Sequence, residues 1–412
     1  MTHQGQCRFC NASLSLSFAD LGMSPLSNAY LTAGQLNKME RFYPLHARVC
    51  ESCYLVQLEE FESPEHIFSD YLYFSSYSDS WLEHAARYTD QMIQRFGFNT
   101  RSHVVEIASN DGYLLQYFVK QGIPVLGIEP AANVAQVAEK NGVPTLTRFF
   151  GKDTAKELAA TGKRADLLLG NNVLAHVPDL NDFVGGMTIL LKPQGVITME
   201  FPHLLKLMEE NQFDTIYHEH FSYFSFSVAE KVFAAHRLTI FDVEEIPTHG
   251  GSLRIFAKHA SNTALAVGHR VSALRQREIE AGLEKADTYR EFSRKVMATK
   301  RSLLRFLIDA REAGKRVAGY GAPAKGNTLL NYCGVRSDFL EYTVDRSPHK
   351  QGRYLPGTHI PVYGTDKIRE TRPDYLLILP WNLKDEIISQ MADIRGWGGK
   401  FVVPIPEARV ID

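Results

Sequence analysis

The chain has 412 residues, 45 of them Lys or Arg and 47 Asp or Glu, for a formal net charge of −2. That balance leaves no electrostatic footprint for nucleic acid or an anionic membrane, and no apolar run approaches the ~20 residues needed to span a bilayer. The length predicts two or three domains, and an N-terminus (Met1-Thr-His-Gln-Gly) without the basic and apolar stretches of a signal peptide predicts a soluble, cytoplasmic protein acting on a small molecule.

The first feature with chemistry in it is a pair of knuckles, Cys7-x-x-Cys10 and Cys50-x-x-Cys53. Two residues between thiols let both sulfurs reach one ion while turn amides stabilise the thiolates, so the set predicts tetrahedral, structural Zn2+. Four thiolates leave no open position for water. The spacing is also not the clustered triplet of an iron–sulfur centre with a free iron. Cys333 stands alone and reads as a buried apolar side chain.

Next, His103-Val-Val-Glu-Ile-Ala-Ser-Asn-Asp-Gly112 reads as a strand and a tight turn, and Tyr113 to Lys120 as the helix that follows. The apolar segment Val125-Leu-Gly-Ile-Glu129 ends in an acid, placed where a second parallel strand would carry a carboxylate to ribose hydroxyls. The other reading of Glu129 is an exposed loop acid before Pro130. Two further strands are expected, Ala165 to Gly170, running into Asn171-Asn172, and Gly195 to Glu200. Alternating strands and helices imply a parallel sheet with ligands at the carboxyl ends of its strands. Ala108, Asn110 and Gly112 stand where a dinucleotide enzyme has glycines, which disfavours NAD. Glu106 and its small-residue turn resemble instead the class I S-adenosylmethionine-dependent methyltransferases, with Glu106, Ala108, Asn110, Asp111, Glu129, Asn171 and Asn172 as the expected cofactor contacts. His176, in an Ala-His-Val-Pro-Asp turn, either shapes that turn or enters the active site.

Asp214-Thr-Ile-Tyr-His-Glu-His-Phe-Ser-Tyr-Phe224 is the densest cluster of acid/base groups. Tyr217, Glu219 and His220 offer a phenol, a carboxylate and an imidazole, whose pKa near 6.5 suits proton abstraction at neutral pH. The plain alternative is a hydrogen-bonded, half-buried strand or loop. His249-Gly-Gly-Ser-Leu-Arg254 reads as a tight hairpin turn or as a site edge, with Arg254 either meeting a phosphate or serving the frame. From about Val271 to Ala313 the pattern predicts long amphipathic helices that connect domains. Lys315-Arg-Val-Ala-Gly-Tyr-Gly-Ala-Pro-Ala-Lys-Gly-Asn-Thr328 then gives a strand, a glycine-rich turn and a helix start, a geometry that presents backbone N–H groups to phosphates, with Lys325 adding charge. Strands at Tyr342 to Asp345 and Asp374 to Leu379 complete a second nucleotide-type unit.

Taken together, the CxxC knuckles, Glu106 to Gly112, Asp214 to Phe224, His249 to Arg254, Gly319-Tyr-Gly-Ala-Pro-Ala-Lys325 and Asp345 with Ser-Pro-His-Lys-Gln-Gly resemble the sugar C-methyltransferases that act on nucleotide-linked 4-keto-6-deoxysugars. The resemblance spans essentially the whole chain. It implies an α/β protein of three units: a zinc domain (1–70), a Rossmann-like S-adenosylmethionine domain (71–260), and a helical connector with a second Rossmann-like, sugar-nucleotide-binding domain (261–412). It implies His220 as the base, Tyr217 and Glu219 shaping the site, His176 near the reacting carbon, and a substrate-contacting tyrosine, Tyr71 ahead of Tyr73 or Tyr77. His249, Arg254, Tyr320, Lys325 and Asp345 are the expected substrate-binding residues. Position 218 is also His, separated from His220 by one residue and on the opposite face if the segment is extended. The rival readings are an O- or N-methyltransferase on a sugar or other small molecule, a noncatalytic sugar-nucleotide binding protein, and a dehydrogenase using the C-terminal glycine-rich turn.

Overall fold

The computed structural model describes residues 5–63, 74–77 and 79–411. Three sheets organise them, and each has a different job in building the site. In the N-terminal unit, β1 (Leu16–Ser24), β2 (Tyr43–Val49) and β3 (Val56–Gln57) run antiparallel. A fourth strand, Ser222–Tyr223, pairs with β3 as Val56↔Tyr223 and Gln57↔Ser222. The acid/base segment therefore ends as an edge strand of the zinc-side sheet.

The central sheet contains β4 (Val104–Ile107), β5 (Val125–Ile128), β6 (Thr145–Leu146), β7 (Ala165–Asn171) and β8 (Leu191–Pro202). With Ser222–Tyr223 counted as β9, it is completed by β10 (Leu238–Ile246) and β11 (Ser252–His259). The order is β10-β11-β8-β7-β4-β5-β6. The strands from β8 to β6 pair in parallel, whereas β11 is antiparallel to both its neighbours. β4 and β5 are buried on both faces, as strands covered by helices must be, and this accounts for their unbroken apolar runs. The chain leaves β4 in opposite directions, toward β5 and toward β7, which opens a ligand crevice at their carboxyl ends. The helix Asp79–Phe96 closes one side of the sheet with Ala85, Tyr88, Thr89 and Met92 inward, a helical spacing of three and four.

The C-terminal sheet has β12 (Val317–Tyr320), β13 (Thr343–Val344), β14 (Val362–Tyr363), β15 (Tyr375–Ile378), β16 (Lys400–Val403) and β17 (Arg409–Ile411), in the order β14-β13-β12-β15-β16-β17. All pair in parallel except β17. Its switch point, between β12 and β15, aims the glycine-rich turn and the helix Ala324–Cys333 at the central unit. The expected helical stretch is two helices, His269–Glu280 and Ala286–Glu312. The longer packs on β1, with Phe292 stacked on Phe18 at 4.5 Å between ring centroids. One apolar cluster thus runs from β1 through this helix to β12 and β15. No helix among the described residues is long and apolar enough to cross a membrane.

Candidate active site

The sulfurs of Cys7 and Cys53 lie 3.6 Å apart and those of Cys10 and Cys50 3.5 Å, with all four within 4.8 Å of one another. Sulfurs about 2.3 Å from a shared zinc would be separated by roughly 3.8 Å, so the donor set fits the metal, and it is much too open for disulfides near 2.05 Å. The two knuckles repeat one design. The residue after each second cysteine, Asn11 (φ 61°) or Tyr54 (φ 67°), is left-handed. Its amide returns to the carbonyl of the first cysteine, at 2.9 Å to Cys7 and 2.8 Å to Cys50.

At the carboxyl end of β4 the chain turns through Ala108 (φ 56°), Asn110 (φ 50°) and Gly112 (φ 78°). The glycine-type backbone is thus kept where the sequence has only one glycine. A Cβ on Gly112 would come within 2.9 Å of Val143, so here the close approach itself requires glycine. Glu106 is fully enclosed beneath the turn, and burial, relieved in part by Tyr113, pushes its carboxyl well above the ordinary range. Glu129 is buried rather than an exposed loop acid. Its carboxylate accepts from the amides of Asn110 (3.0 Å) and Ala131 (2.9 Å). The buried Ser109 Oγ, Asp111 Oδ1, Asn171 Oδ1 and Asn172 Oδ1 find no protein partner. Unsatisfied polar atoms at the ends of β4 and β7 are what a bound ligand with amino-acid and ribose groups would complete.

The segment from Asp214 onward is a 3-10 turn, Phe213–Thr215, followed by irregular chain, so it is not extended before β9. The His220 amide donates to the Tyr217 carbonyl (2.9 Å) and the Phe221 amide to the Ala175 carbonyl (2.7 Å). These bonds fasten the segment against the turn Leu174–His176 and bring His176 and His220 to 4.7 Å between ring centroids. Tyr217 lies over His220 at 4.0 Å. His220 Nδ1 is 2.9 Å from the Thr215 carbonyl. A carbonyl only accepts, so Nδ1 carries the hydrogen and Nε2 keeps its lone pair. His220 retains some accessible surface, yet side chains surround its ring, and burial together with His176 holds its pKa well below 6.5. Burial likewise takes His176 down to about 4. Both imidazoles are therefore neutral at pH 7.

The two neighbouring residues are held by the zinc-side unit. His218 turns away from His220, its Nε2 donating to the Pro44 carbonyl (3.1 Å) between Tyr43 and Phe61. Glu219 accepts from Asn28 Nδ2 at 2.7 Å, and burial raises its carboxyl to about 7. At the other end, Asp214 accepts from Trp381 Nε1 (2.8 Å). Burial raises it to about 7 against the opposing pull of Lys325. Lys325 Nζ sits 4.4 Å over the Trp381 ring and 2.8 Å from Asn382 Oδ1. His249 (φ 55°) forms the tight turn between β10 and β11 and its Nε2 meets Asn172 Nδ2 at 3.0 Å, so the hairpin turn also edges the loop after β7.

Three expected substrate residues are engaged elsewhere. Arg254, buried over the Tyr88 ring, gives its donors to Glu200 (2.7 Å), Gln91 (2.9 Å) and Glu244 (3.1 Å). Burial alone would raise Glu200, but His84 at 2.9 Å and Arg254 hold it below the usual range. Tyr320 lies in the C-terminal core, its hydroxyl donating to Gln390 Oε1 (3.2 Å). Asp345 accepts from the amides of Ala322 and Ser347, each at 2.8 Å, so it caps its own glycine-rich turn. Tyr71 and Tyr73 lie outside the described residues, and Tyr77 is exposed. Sequence reasoning missed Asn28, Thr215, Trp381 and the His84–Glu200 pair. Only Glu200 carried a signal, as an acid at the carboxyl end of a parallel strand.

Comparison with known proteins matches all three units. A model for a zinc binding domain covers residues 7–68, one for a methyltransferase domain residues 81–238, and one for a C-methyltransferase C-terminal domain residues 247–406. The C-methyltransferase NovU of Streptomyces niveus is 37% identical over 409 residues, 98% of this chain and 96% of that protein. The ubiquinone biosynthesis O-methyltransferase of Bartonella bacilliformis is 30% identical over 95 residues, 23% of this chain and 38% of its own. Among solved structures, the Burkholderia thailandensis 1,6-didemethyltoxoflavin-N1-methyltransferase matches 50% of this chain and 95% of its own, at TM-score 0.36 and 20% identity.

Proposed function

We propose, since the chain belongs to the C-methyltransferase family, that it methylates C3 of a nucleotide-linked 4-keto-6-deoxysugar. The enzyme is an S-adenosylmethionine-dependent methyltransferase with a structural zinc domain. When bound, S-adenosylmethionine supplies a methyl group activated on sulfonium. The residues that would hold it are Glu106, Ala108, Asn110, Asp111 and Glu129 around the first turn, with Asn171 and Asn172 at the end of β7. The four cysteines hold the zinc, which takes no part in the reaction.

A 4-keto group acidifies the hydrogen on C3 and delocalises the resulting charge onto oxygen. His220 Nε2 takes that proton. The resulting carbanion at C3 would accept the methyl group that bound S-adenosylmethionine supplies, its electron pair replacing the one that stays on sulfur. Tyr217, against the His220 ring, donates toward the enolate oxygen. Burial keeps His220 neutral, His176 lines the approach of the reacting carbon, and Glu219, held by Asn28, fixes the loop that carries His220. The tyrosine we assign to substrate contact is Tyr71, ahead of Tyr73 or Tyr77. Lys325 and His249 take the phosphate-bearing end, while Arg254, Tyr320 and Asp345 hold the frame. The observation that carries this reading is the 2.9 Å contact between His220 Nδ1 and the Thr215 carbonyl, which places the Nδ1 hydrogen on that carbonyl and leaves the Nε2 lone pair of the neutral ring for the substrate.

The test is incubation in D2O with dTDP-, GDP- and CDP-linked 4-keto-6-deoxysugars, with and without S-adenosylmethionine, read by NMR and mass spectrometry. A new methyl on C3, with both methyl transfer and deuterium uptake at C3 abolished in His220→Ala, is expected. Methyl transfer to oxygen or nitrogen would instead make the enzyme a heteroatom methyltransferase.

A further inference from the structure

The short 3-10 turn Ser75–Tyr77 touches two units at once. On the cofactor side, two consecutive residues of the turn after β4 grip two consecutive amides. Asn110 Oδ1 accepts from Ser75 N at 2.9 Å, and Asp111 Oδ2 accepts from Ser76 N at 3.1 Å and from Ser76 Oγ at 2.5 Å. Asp111 is almost wholly buried and its other oxygen is unpartnered, so the Ser76 pair supplies the donors that keep this carboxylate in place. The grip extends to the ribose-side acid, because the Asn110 amide donates to Glu129. Asn110 itself holds a left-handed backbone, a conformation set by its surroundings.

On the other side, the Tyr77 ring stacks on His349 at 6.3 Å and 8°. His349 belongs to the loop after Asp345, and its neighbour Lys350 donates to the Ala322 carbonyl of the glycine-rich turn at 2.9 Å. A continuous set of contacts therefore runs from Glu129 through Asn110, Asp111 and the Ser75–Tyr77 turn to the C-terminal loops.

We infer that Ser76 and Tyr77 are positioning residues that couple S-adenosylmethionine binding at the turn after β4 to sugar-nucleotide binding at the C-terminal loops. The inference rests on the nucleotide-sugar reading above. Neither side chain is assigned a contact with a reacting atom; each holds the turn in register between two sites. Linkage then requires reciprocity: whatever factor the nucleotide adds to cofactor affinity, the cofactor adds to nucleotide affinity.

The experiment is isothermal titration calorimetry of S-adenosylhomocysteine with and without saturating dTDP, GDP or CDP, and the reverse titration. The wild-type enzyme is expected to bind S-adenosylhomocysteine about 5-fold or more tightly when its nucleotide is present, within the usual range for coupled sites. Ser76→Ala and Tyr77→Ala bring that factor toward one, and Tyr77→Phe, which keeps the stack, restores it. Tyr77 is 69% exposed, so its truncation removes no core packing. A wild-type factor of one with a nucleotide bound, or an undiminished factor in both alanine variants, overturns the coupling while leaving the nucleotide-sugar reading intact. Failure of all three nucleotides to bind would take down both.

Discussion

Asp214 is a carboxyl group placed where a carboxylate is costly. It is 0% exposed, one oxygen takes the Trp381 indole N–H, and the other has no partner. Its pKa of about 7 stands above the roughly 3.9 of an unfolded chain, so the folded protein binds the proton more tightly than the unfolded one does. Its contribution to stability is therefore full below about pH 4 and lost as the pH rises through about 7, by up to about 4 kcal/mol at 1.36 kcal/mol per pH unit. Asp214→Asn keeps an acceptor for Trp381 and removes the titration. It is expected to be more stable than wild type at pH 8, by about 1–4 kcal/mol, with the gain shrinking by pH 5. Urea melts at the two pH values measure this, and an equal effect at both would mean that Lys325 keeps Asp214 ionised. Arg254 makes a related point with a different outcome. A buried guanidinium opposite Glu200 is expensive to expose to loss, since breaking such a pair costs about 3–5 kcal/mol, and this is reason enough for an arginine there without a phosphate.

The turn after β4 is the element whose conformation and sequence disagree most. An alanine at φ 56° is strained by roughly 1–2 kcal/mol, because its Cβ approaches the following carbonyl. Ala108→Gly is expected to raise stability by about 1 kcal/mol and leave S-adenosylhomocysteine affinity within about 2-fold, whereas Ala108→Val, β-branched in a left-handed position, is expected to cost both. Thermal melts and calorimetry together decide it, and loss of affinity in the glycine variant would show that the Ala108 methyl touches the cofactor. The loops after β4, β7 and β12 were readable in the sequence because each ends an apolar run in small or turn-forming residues, and the structure puts a strand end at each. The shape of Asp214 to Phe224 was not readable: it has no period of two or 3.6, and its form comes from partners far along the chain. Asn28, Pro44 and Trp381 carry no motif, yet they decide that His218 faces the zinc-side unit while His220 faces His176. Two imidazoles that the sequence could separate only by an assumed strand are separated instead by tertiary contacts.

At the scale of the whole molecule, the acid/base segment is suspended between three units, and the zinc-side unit grips its residues from His218 to Tyr223. β9 pairs with β3, the Leu58 amide donates to the Phe221 carbonyl at 3.0 Å, Asn28 holds Glu219, and the Pro44 carbonyl holds His218. β3 begins three residues after Cys53, and the knuckle that ends there is closed by Cys50 N donating to Leu55 O. Metal binding is folding free energy in small zinc units, so removing the ion loosens β3 and, through it, the position of His220. The face of the central sheet toward the helix Asp79–Phe96 draws its core from other residues, Val104, Leu114, Phe118, Val125 and Leu167, while the opposite face shares a cluster with Cys7, Cys50, Cys53 and Leu55. Zinc extraction with a strong chelator, or Cys10→Ser, is therefore expected to abolish methyl transfer and C3 deuterium exchange while S-adenosylhomocysteine still binds within a few-fold. Metal analysis, the exchange assay and calorimetry on one sample read all three. Full deuterium exchange in metal-free protein would show that the central and C-terminal units hold His220 unaided, through Thr215 and Trp381. Loss of cofactor binding as well would show that the zinc knuckles support the entire chain rather than the catalytic segment alone.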